Sequence, residues 1–450
     1  MSRGILLTAL LLSAAPLAAS AETLAFTNAK IETAGPAGEI ANGTVVIRDG
    51  KIVAVGAGLA APAGARVIDA RGQVLSPGVI AASSSLGVEE VEGVRSTVDV
   101  GSGSEIGAAF DISYGVNPES TLIPLSREHG VTRAVITPVP ARGGGGDEDE
   151  TVQDTSTLTA GKEAKSSGAS LFEGQAAMIR TASGDTDPVF KSNAAMVVDL
   201  GEAGARVAGS RGSAIVLLKS ALEDVRRFQR NRSVFDRGAE IPSALTRDDL
   251  EALIPVVEGR TPLLVRVHRA SDIRLILRLA REERLKLILE GAEEGWMVAP
   301  DLAAAGVPVL IDSEADLPES FEALGSRLDN AARLQAAGVL VAIEGSRGFN
   351  NVRQARFNAG TAVANGMSYP AAIASITLNP AKIWGFADKA GSIEVGKEAD
   401  LVLWSGDPLE TQTYPVAVFI GGKQQPQDAR ILKLRDRYAK PAGPYPRQYN

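Results

Sequence analysis

Short apolar segments alternate with amphipathic ones between residues 263 and 344, and this alternation constrains the fold more than any other feature of the chain. Near-continuous apolar character, which is typical of buried parallel strands, occurs in LLVRVH (263–268), VPVLID (307–312) and VLVAIE (339–344). In the stretch after the first of these, Ile273, Ile276 and Ala280 fall on one helical face. Parallel strands covered by helices predict an α/β fold. The span from about 80 to 385 suits a TIM-like (β/α)8 barrel, with a doubly wound open sheet as the alternative.

The two ends of the chain have a different sequence pattern, which is typical of short β-strands. From 22 to 76, short β-type runs are separated by Gly, Asn and Asp turn signals, and the same pattern returns from 386 to 450. We therefore predict a small composite β-sandwich that the N- and C-terminal segments build together, with the barrel occupying residues 77–385.

The first residues, MSRGILLTALLLSAAPLAASAE, place Arg3 before an apolar run that closes with Ala19-Ser20-Ala21. This arrangement predicts a signal peptide over residues 1–21 and export, to the periplasm. A signal anchor is the alternative, although the apolar run is short for a bilayer crossing. No later segment of the sequence has the length and hydropathy of a membrane span.

Composition limits the classes of partner and site. The chain has 450 residues, 45% of them apolar, which is enough to bury a large core. Its formal net charge of -8 comes from 46 basic and 54 acidic residues that are spread along the chain, so a nucleic-acid partner is not expected. Because cysteine is absent, disulfides and thiolate metal sites are impossible.

One segment of the sequence resembles a motif of a known protein family. VLSPGVIAASSSLG (74–87) resembles the strand-one motif of the amidohydrolase superfamily, in which two histidines bind metal. Resemblance to exported, imidazolonepropionase-like members continues in GVTRAVITP (130–138), VRVHRASDI (265–273), EGAEEGWMVAPDLAAAGVPV (290–309) and ITLNPAKIWGFADKAGSIEVGKEADLVLWSGDP (376–408). It implies a β/α barrel with a composite β-sandwich, and hydrolysis of carbon–nitrogen bonds by water activated on zinc or another divalent cation.

The family's metal ligands are nevertheless substituted in this chain. By the flanking motifs, they fall on Ser83 and Ser85 in strand one, Arg266 in strand five, Gly291 in strand six, and Ser346 or a neighbour in strand eight. None of these side chains replaces an imidazole or a carboxylate on zinc. Only two histidines exist, His129 and His268, so no other alignment recovers a histidine-rich site.

We therefore predict a metal-free, catalytically degenerate amidohydrolase-like protein without a cofactor, acting as partner or regulator of an intact homologue in a homo- or hetero-oligomer. One alternative is a residual hydrolase whose non-standard site draws on His268, Glu290, Asp312 and Glu344. Another is a periplasmic protein that binds a small molecule or peptide at the barrel mouth without turnover.

Arg266 prompts a separate hypothesis, because a cation occupies a position where the family has a metal ligand. Its guanidinium could fill the space of the metal and pair with Glu290, Asp312 or Glu344 at neighbouring strand ends. The alternative is that Arg266 reaches solvent or a loop aspartate.

Overall fold

The computed structural model describes residues 23–91, 94–101, 106–139, 170–235, 243, 245–318, 320–345 and 351–439. The predicted signal peptide at 1–21 and the substituted ligand position Ser346 lie outside these residues. Among the described helices, none is both long enough and apolar enough to cross a bilayer.

Eighteen strands form three sheets in the described part of the chain. They are β1 (Thr23–Glu32), β2 (Glu39–Arg48), β3 (Lys51–Ala57), β4 (Arg66–Asp69), β5 (Val74–Pro77), β6 (Val79–Ser84), β7 (Val131–Ile136), β8 (Phe172–Gln175), β9 (Ala177–Arg180), β10 (Val189–Lys191), β11 (Met196–Asp199), β12 (Leu263–Val267), β13 (Leu287–Gly291), β14 (Val309–Ile311), β15 (Val341–Ile343), β16 (Leu401–Trp404), β17 (Pro415–Ile420) and β18 (Lys423–Gln424).

Twelve α-helices and four short 3-10 helices accompany these strands in the described residues. The α-helices are α1 (Leu122–Glu128), α2 (Glu202–Ala208), α3 (Arg211–Arg230), α4 (Arg232–Phe235), α5 (Arg247–Val257), α6 (Ala270–Glu283), α7 (Ala299–Ala305), α8 (Asn330–Ala336), α9 (Ala355–Ala364), α10 (Tyr369–Ser375), α11 (Leu378–Ile383) and α12 (Arg430–Ala439). The 3-10 helices are Arg95–Thr97, Ile112–Gly115, Gly295–Met297 and Asn351–Gln354.

One eight-stranded sheet contains strands from both ends of the chain. Its order is β18-β17-β16-β5-β1-β2-β3, and β4 pairs with β1. The buried rings of Phe26 and Phe419, one from each end, meet edge to face with centroids 5.0 Å apart. The β-type sequence pattern of the two terminal segments thus corresponds to one sheet that both segments build. Closure of this sheet into a sandwich stays a prediction.

The central part of the chain is mixed α/β, as its alternating pattern predicts. β11 to β15 are consecutive parallel strands, with α6, α7 and α8 in the successive connections from β12 to β15. β8 joins their outer edge antiparallel, and β6, β7, β9 and β10 form a four-stranded sheet. The strand pairs of the described residues therefore form two sheets, and the closed barrel stays a prediction.

The segment that enters α11 contacts the free edges of both central sheets. The backbone N–H of Ile80 in β6 donates to the carbonyl of Ile376 at 2.9 Å. Asn379 Nδ2 donates to the carbonyl of Val341 in β15 at 2.7 Å. Polar backbone groups that an edge strand leaves unpaired are thus satisfied by this segment.

α6 has the apolar face that its sequence predicts. Ile273, Ile276 and Ala280 are all buried. The helix ends at Arg284, whose φ of 60° is left-handed and whose N–H donates to the carbonyl of Ala280. This face belongs to the same hydrophobic cluster as Leu263 and Val265 of β12.

The two faces of the parallel strands pack in different hydrophobic clusters. In β12, Leu263, Val265 and Val267 join the large cluster that includes the helices, whereas Leu264 joins an inner cluster. The inner cluster also contains Ile80, Ala82, Val135, Val197, Ile288, Leu310 and Ala342. With the two-residue period of a strand, the next inward positions after Leu264, Ile288, Leu310 and Ala342 are Arg266, Glu290, Asp312 and Glu344. One polar layer therefore caps the inner apolar layer at the carboxyl ends of these strands.

A buried ion-pair group joins the central region to the terminal sheet. Arg133 in β7 is 1% exposed, its Nε donates to Asp400 Oδ2 at 2.8 Å, and its Nη2 pairs with Glu398.

Replacing Arg133 with Met is expected to lower the free energy of unfolding by about 3 kcal/mol or more, because the carboxylate of Asp400 would stay buried without its cation. Urea unfolding measures the loss, and the exposed Arg260→Met is the control, with less than about 0.5 kcal/mol expected. Equal effects of the two substitutions would contradict this role.

Candidate functional site

The guanidinium of Arg266 lies in a buried polar cluster at the carboxyl ends of the inner strands. Its Nε donates to Glu290 Oε2 at 3.0 Å, its Nη1 pairs with Glu173, and its Nη2 donates to the carbonyl of Pro138 at 2.8 Å. Arg266 is 2% exposed, Glu290 0% and Glu173 8%. A charge this deeply buried is tolerated only when it is paired and hydrogen-bonded, and all three guanidinium nitrogens have acceptors here.

Ser83 extends this cluster to β6. Its hydroxyl donates to Glu290 Oε1 at 2.6 Å and lies 2.7 Å from Thr137 Oγ1. The register between β6 and β7 is irregular between Ala81 and Ser84, and Ser84 instead donates to the carbonyl of Val135. We call Ser83, Thr137, Glu173, Arg266 and Glu290 the Arg266 cluster.

Asp312 and Glu344 are linked through one amide side chain. Asn358 Nδ2 in α9 donates to Asp312 Oδ1 at 2.9 Å and to the backbone carbonyl of Glu344 at 3.0 Å. The hydroxyl of Ser313 donates to the backbone carbonyl of Asn358 at 2.6 Å. α9 thus holds the ends of β14 and β15 together at the same side of the central strands.

His268 lies one residue beyond the end of β12, in a second polar group. Its Nδ1 is 2.5 Å from Glu293 Oε2, and its Nε2 is 3.6 Å from Glu322 Oε1. Glu322 Oε2 in turn accepts from the backbone N–H of Glu202 at 2.8 Å and from Arg211 Nη2 at 3.1 Å. We call His268, Glu293 and Glu322 the His268 cluster. With side-chain exposures of 20%, 19% and 11%, it is more accessible than the Arg266 cluster.

The His268 cluster favours the charged imidazolium. Burial lowers the pKa of His268, but the hydrogen bond to Glu293 and the negative charges of Glu293, Glu322 and Asp199 raise it, so the pKa lies above its ordinary value. The other histidine, His129, is on α1's C-terminal side with its Nδ1 2.8 Å from the carbonyl of Leu125, and burial lowers its pKa.

These opposite directions predict opposite pH dependences. The raised pKa of His268 contributes stability that is fully present below the unfolded-state value of about 6.5 and is lost as pH rises through the folded-state value. His268→Gln should therefore flatten the decline of unfolding free energy above that pH. His129→Gln should instead remove a loss that develops as pH falls through about 6.5, because its folded-state pKa is lowered. Urea unfolding across this pH range measures both, and parallel profiles for the two variants would contradict the assignment.

Gly291 adjoins the His268 ring. Its φ is +95°, and a Cβ there would lie 2.6 Å from both Cε1 and Nδ1 of His268. The imidazole of His268 therefore occupies the space that the Cβ of any other residue at position 291 would need. This is the position where the resemblance places the family's strand-six histidine.

The four residues of the alternative hydrolase site have different hydrogen-bond partners. Glu290 is in the Arg266 cluster, His268 is in its own cluster, and Asp312 and Glu344 are bridged by Asn358. Within the described ranges, no group of three or more His, Asp or Glu side chains has an arrangement that could hold a metal ion.

The sequence hypothesis for Arg266 is confirmed in one part and incomplete in another. Its pairing with Glu290 is present, and its exposure of 2% rules out the alternative of a solvent-facing side chain. The sequence hypothesis did not include Glu173, which lies at the second position of β8 and pairs with Arg266 Nη1. Glu293 and Glu322 were also missed, since both belong to irregular segments after strands and carry no periodic signal.

The residues at the family's metal position do not fit a divalent cation. Ser83 is committed to Glu290 and Thr137, Arg266 is itself a cation, and Gly291 has no side chain. The carboxylates of Glu173 and Glu290 that could serve as oxygen donors already bind the guanidinium. A divalent ion placed among them would be repelled by Arg266 at contact distance.

Comparisons with known proteins agree with the fold. The family model described as amidohydrolase family matches residues 269–427. Amidohydrolase tasK of Hapsidospora irregularis is 25% identical over 390 residues, which cover 82% of this chain and 38% of that protein. The chain thus spans little more than a third of the length of this curated relative.

Solved structures are similar over most of the chain. The crystal structure of an amidohydrolase from Thermotoga maritima MSB8 matches with a TM-score of 0.75 at 24% identity, covering 89% of this chain and 99% of that one. Molinate hydrolase matches with a TM-score of 0.51 at 18% identity, covering 96% and 99%. Phenylurea hydrolase B matches with a TM-score of 0.52 at 16% identity, covering 90% and 97%. Residues 269–427 are thus similar to the amidohydrolase family, and the solved structures show that the chain shares their fold.

Proposed function

We propose that this protein is a metal-free amidohydrolase-superfamily member without hydrolytic activity, and that it acts as partner or regulator of an intact homologue. We also propose that the central part of the chain closes into a (β/α)8 barrel and that the terminal segments build a composite β-sandwich. The proposal further assigns the chain to the imidazolonepropionase-like subgroup and its location to the periplasm. Its central support is the Arg266 cluster, in which a guanidinium is bound by two buried carboxylates. The sequence resemblance places one of the family's metal ligands at position 266.

The chemistry of the family explains why the Arg266 cluster supports the absence of hydrolytic activity. Hydrolysis in the superfamily uses a cation-activated water, for which two or more neutral or anionic ligands must face a shared metal. Here a fixed organic cation replaces the metal but has no open coordination position. Arg266 cannot lower the pKa of a water by direct coordination, because all of its polar atoms are hydrogen-bond donors.

A partner role accounts for a fold that is kept while its metal ligands are changed. Surfaces of a homologous chain can pack against an intact enzyme whether or not the chain turns over substrate. The alternative of ligand binding at the barrel mouth requires a cavity above the polar layer, and thermal-shift screening with small molecules and peptides would detect such binding.

Co-purification tests the partner role directly. The full chain, carrying an affinity tag, is expressed in a host that also produces an intact amidohydrolase homologue, and the tagged chain is isolated under native conditions. We expect the homologue to be retained at a defined stoichiometry and its activity to change on binding. Isolation of the chain without the homologue, together with unchanged homologue activity, would contradict the proposal.

The His268 cluster favours one competing function, a residual hydrolase with metal-free acid–base chemistry. His268 and Glu293 form a hydrogen-bonded pair that retains partial solvent access. Such a pair could relay a proton to a leaving group. Turnover of amide substrates by the metal-depleted chain, abolished in His268→Gln, would establish this function in place of the partner role.

A further inference from the structure

We propose that the surface groove between α6 and α7 binds an acidic peptide segment of another protein in an extended conformation. We call it the arginine groove; it encloses about 290 Å³ and is lined by Arg274, Leu277, Arg278 and Arg281 of α6 and by Asp301, Ala304 and Ala305 of α7. Its volume is close to the lower limit of ligand pockets, about 300 Å³. The inference goes beyond the proposed partner role, because the acidic segment need not belong to a homologue of this chain.

The three arginines form a row along one exposed face of α6. Arg274, Arg278 and Arg281 follow one another at intervals of four and three residues and are exposed, whereas Ile276 and Ala280 on the other face are buried. The helical rise separates the three positions by about 6 Å and about 4.5 Å along the axis. With one acid among its lining residues, the groove carries a formal charge of +2, in a chain whose formal net charge is -8.

Two of these arginines have guanidinium groups that are available to a ligand. Arg274 Nε donates to Asp301 Oδ2 at 3.3 Å. Arg278 and Arg281, in contrast, have no ion pair or side-chain hydrogen bond in the part of the chain that the structure describes. Clusters of arginine with open donors are a recurring means of recognising acidic motifs, because each guanidinium can bind a carboxylate with two hydrogen bonds.

The acids that follow Arg281 along the helix do not compensate its charge. Glu282 pairs with Lys219 at 3.9 Å, and Glu283 pairs with Arg226 at 2.6 Å, so both carboxylates are directed to α3. The positive charge of the row is therefore left for a partner that comes from outside the described residues.

The shape of the groove favours an extended peptide over other anions. A single phosphate would contact only part of the row, whereas alternate side chains of an extended segment are about 6.6 Å apart, close to the arginine spacing. Leu277 and Ala304 supply apolar surface for the stems of such side chains. Asp301 repels a uniform polyanion at the Arg274 end of the groove, so a nucleic acid or an anionic bilayer fits less well than a short acidic peptide.

The experiment measures binding of a fluorescein-labelled peptide of alternating glutamate and alanine to the purified full chain by fluorescence anisotropy. We expect saturable binding with a dissociation constant below about 1 mM in dilute buffer. Binding should weaken at least about threefold when sodium chloride is raised to about 0.3 M, because exposed guanidinium–carboxylate pairs are screened by salt. A labelled peptide of alternating lysine and alanine should not bind. Inorganic phosphate, oligothymidylate and phosphatidylserine vesicles are tested beside the peptides.

Two variants assign the binding to the groove. The double variant Arg278→Gln/Arg281→Gln should weaken peptide binding at least about tenfold, since it removes both unpaired guanidinium groups. Asp301→Asn should strengthen binding about two- to fivefold, because it removes the acid of the groove and releases Arg274 for a further carboxylate.

The matched control is the double variant Arg430→Gln/Arg437→Gln. It removes the same charge from exposed positions of α12, so it should change peptide binding by less than about twofold if net charge alone does not hold the peptide. All of these side chains are exposed, and every variant should melt within about 2 °C of the wild type.

The outcomes separate this inference from others. Saturable binding that the groove double variant loses, Asp301→Asn strengthens and the α12 control keeps supports it. Absence of saturable binding, equal losses in the two double variants, equal binding of the lysine peptide, or tighter association with phosphate, oligothymidylate or vesicles than with the acidic peptide overturns it. The measurement uses the purified chain alone, so its failure is distinguishable from failure of the co-purification with a homologue.

Discussion

Replacing Arg266 with Met is expected to lower the free energy of unfolding by about 3–5 kcal/mol, because two carboxylates would remain buried without their cation. Met keeps an unbranched apolar stem like that of the arginine and lacks the guanidinium, so the change isolates the charged group more cleanly than a truncation to Ala does. Glu173 and Glu290 are 8% and 0% exposed, and solvent can compensate them only if the site opens. Urea unfolding at neutral pH measures the loss.

Two further variants show whether this loss has an electrostatic origin. Adding Glu290→Gln to Arg266→Met should recover part of the lost stability, since the amide removes one uncompensated charge while keeping the shape. Arg281→Met changes an exposed arginine of α6 and should stay within about 0.5 kcal/mol of the wild type. A wild-type melting temperature for Arg266→Met would show that the cluster does not stabilise the fold.

Substituting Gly291 with Ala is expected to cost about 2–4 kcal/mol, from two separate causes. The φ of +95° strains any residue with a Cβ, and the new atom would overlap the His268 ring at 2.6 Å. Gly396→Ala is the matched control, because Gly396 also has a φ of +95° but nothing lies within 4 Å of a Cβ there. The difference between the two losses measures the overlap with the imidazole.

A double variant tests the overlap independently. Combining Gly291→Ala with His268→Ala removes the ring and should leave only the backbone strain, so the two substitutions should be non-additive. If Gly291→Ala and Gly396→Ala lose equal stability, the ring does not confine position 291. If the ring does confine the position, a histidine at 291 requires displacement of His268, so the single substitution Gly291→His is not expected to rebuild a metal site.

The period-two pattern of the strands accounts for how much of the site the sequence predicts. The positions two residues after Leu264, Ile288, Leu310 and Ala342 of the inner hydrophobic cluster face the same side of their strands. These positions are Arg266, Glu290, Asp312 and Glu344, which therefore lie at equivalent strand ends. The substitution of metal ligands at Ser83 and Arg266 stays a prediction, which rests on the resemblance of the segments that flank these residues. Local periodicity is sufficient here because a regular strand fixes the direction of each side chain.

Partner choice within the polar layer needs the three-dimensional fold. The sequence offered Arg266 three carboxylates from neighbouring parallel strands, and the structure adds Glu173, which is 93 residues away on a strand that runs antiparallel to β11. Likewise, Glu322 reaches His268 from an irregular segment after β14 whose path no repeat determines.

The sequence by itself determined the mixed α/β pattern, the β-type pattern that both termini share, and the absence of imidazoles from positions 83 and 266. Only the tertiary structure decided that a guanidinium joins Glu173 to Glu290 and that the His268 ring adjoins Gly291. The physical reason is that strand periodicity is local, whereas the pairing of buried charges depends on which distant segments the fold brings within hydrogen-bond distance.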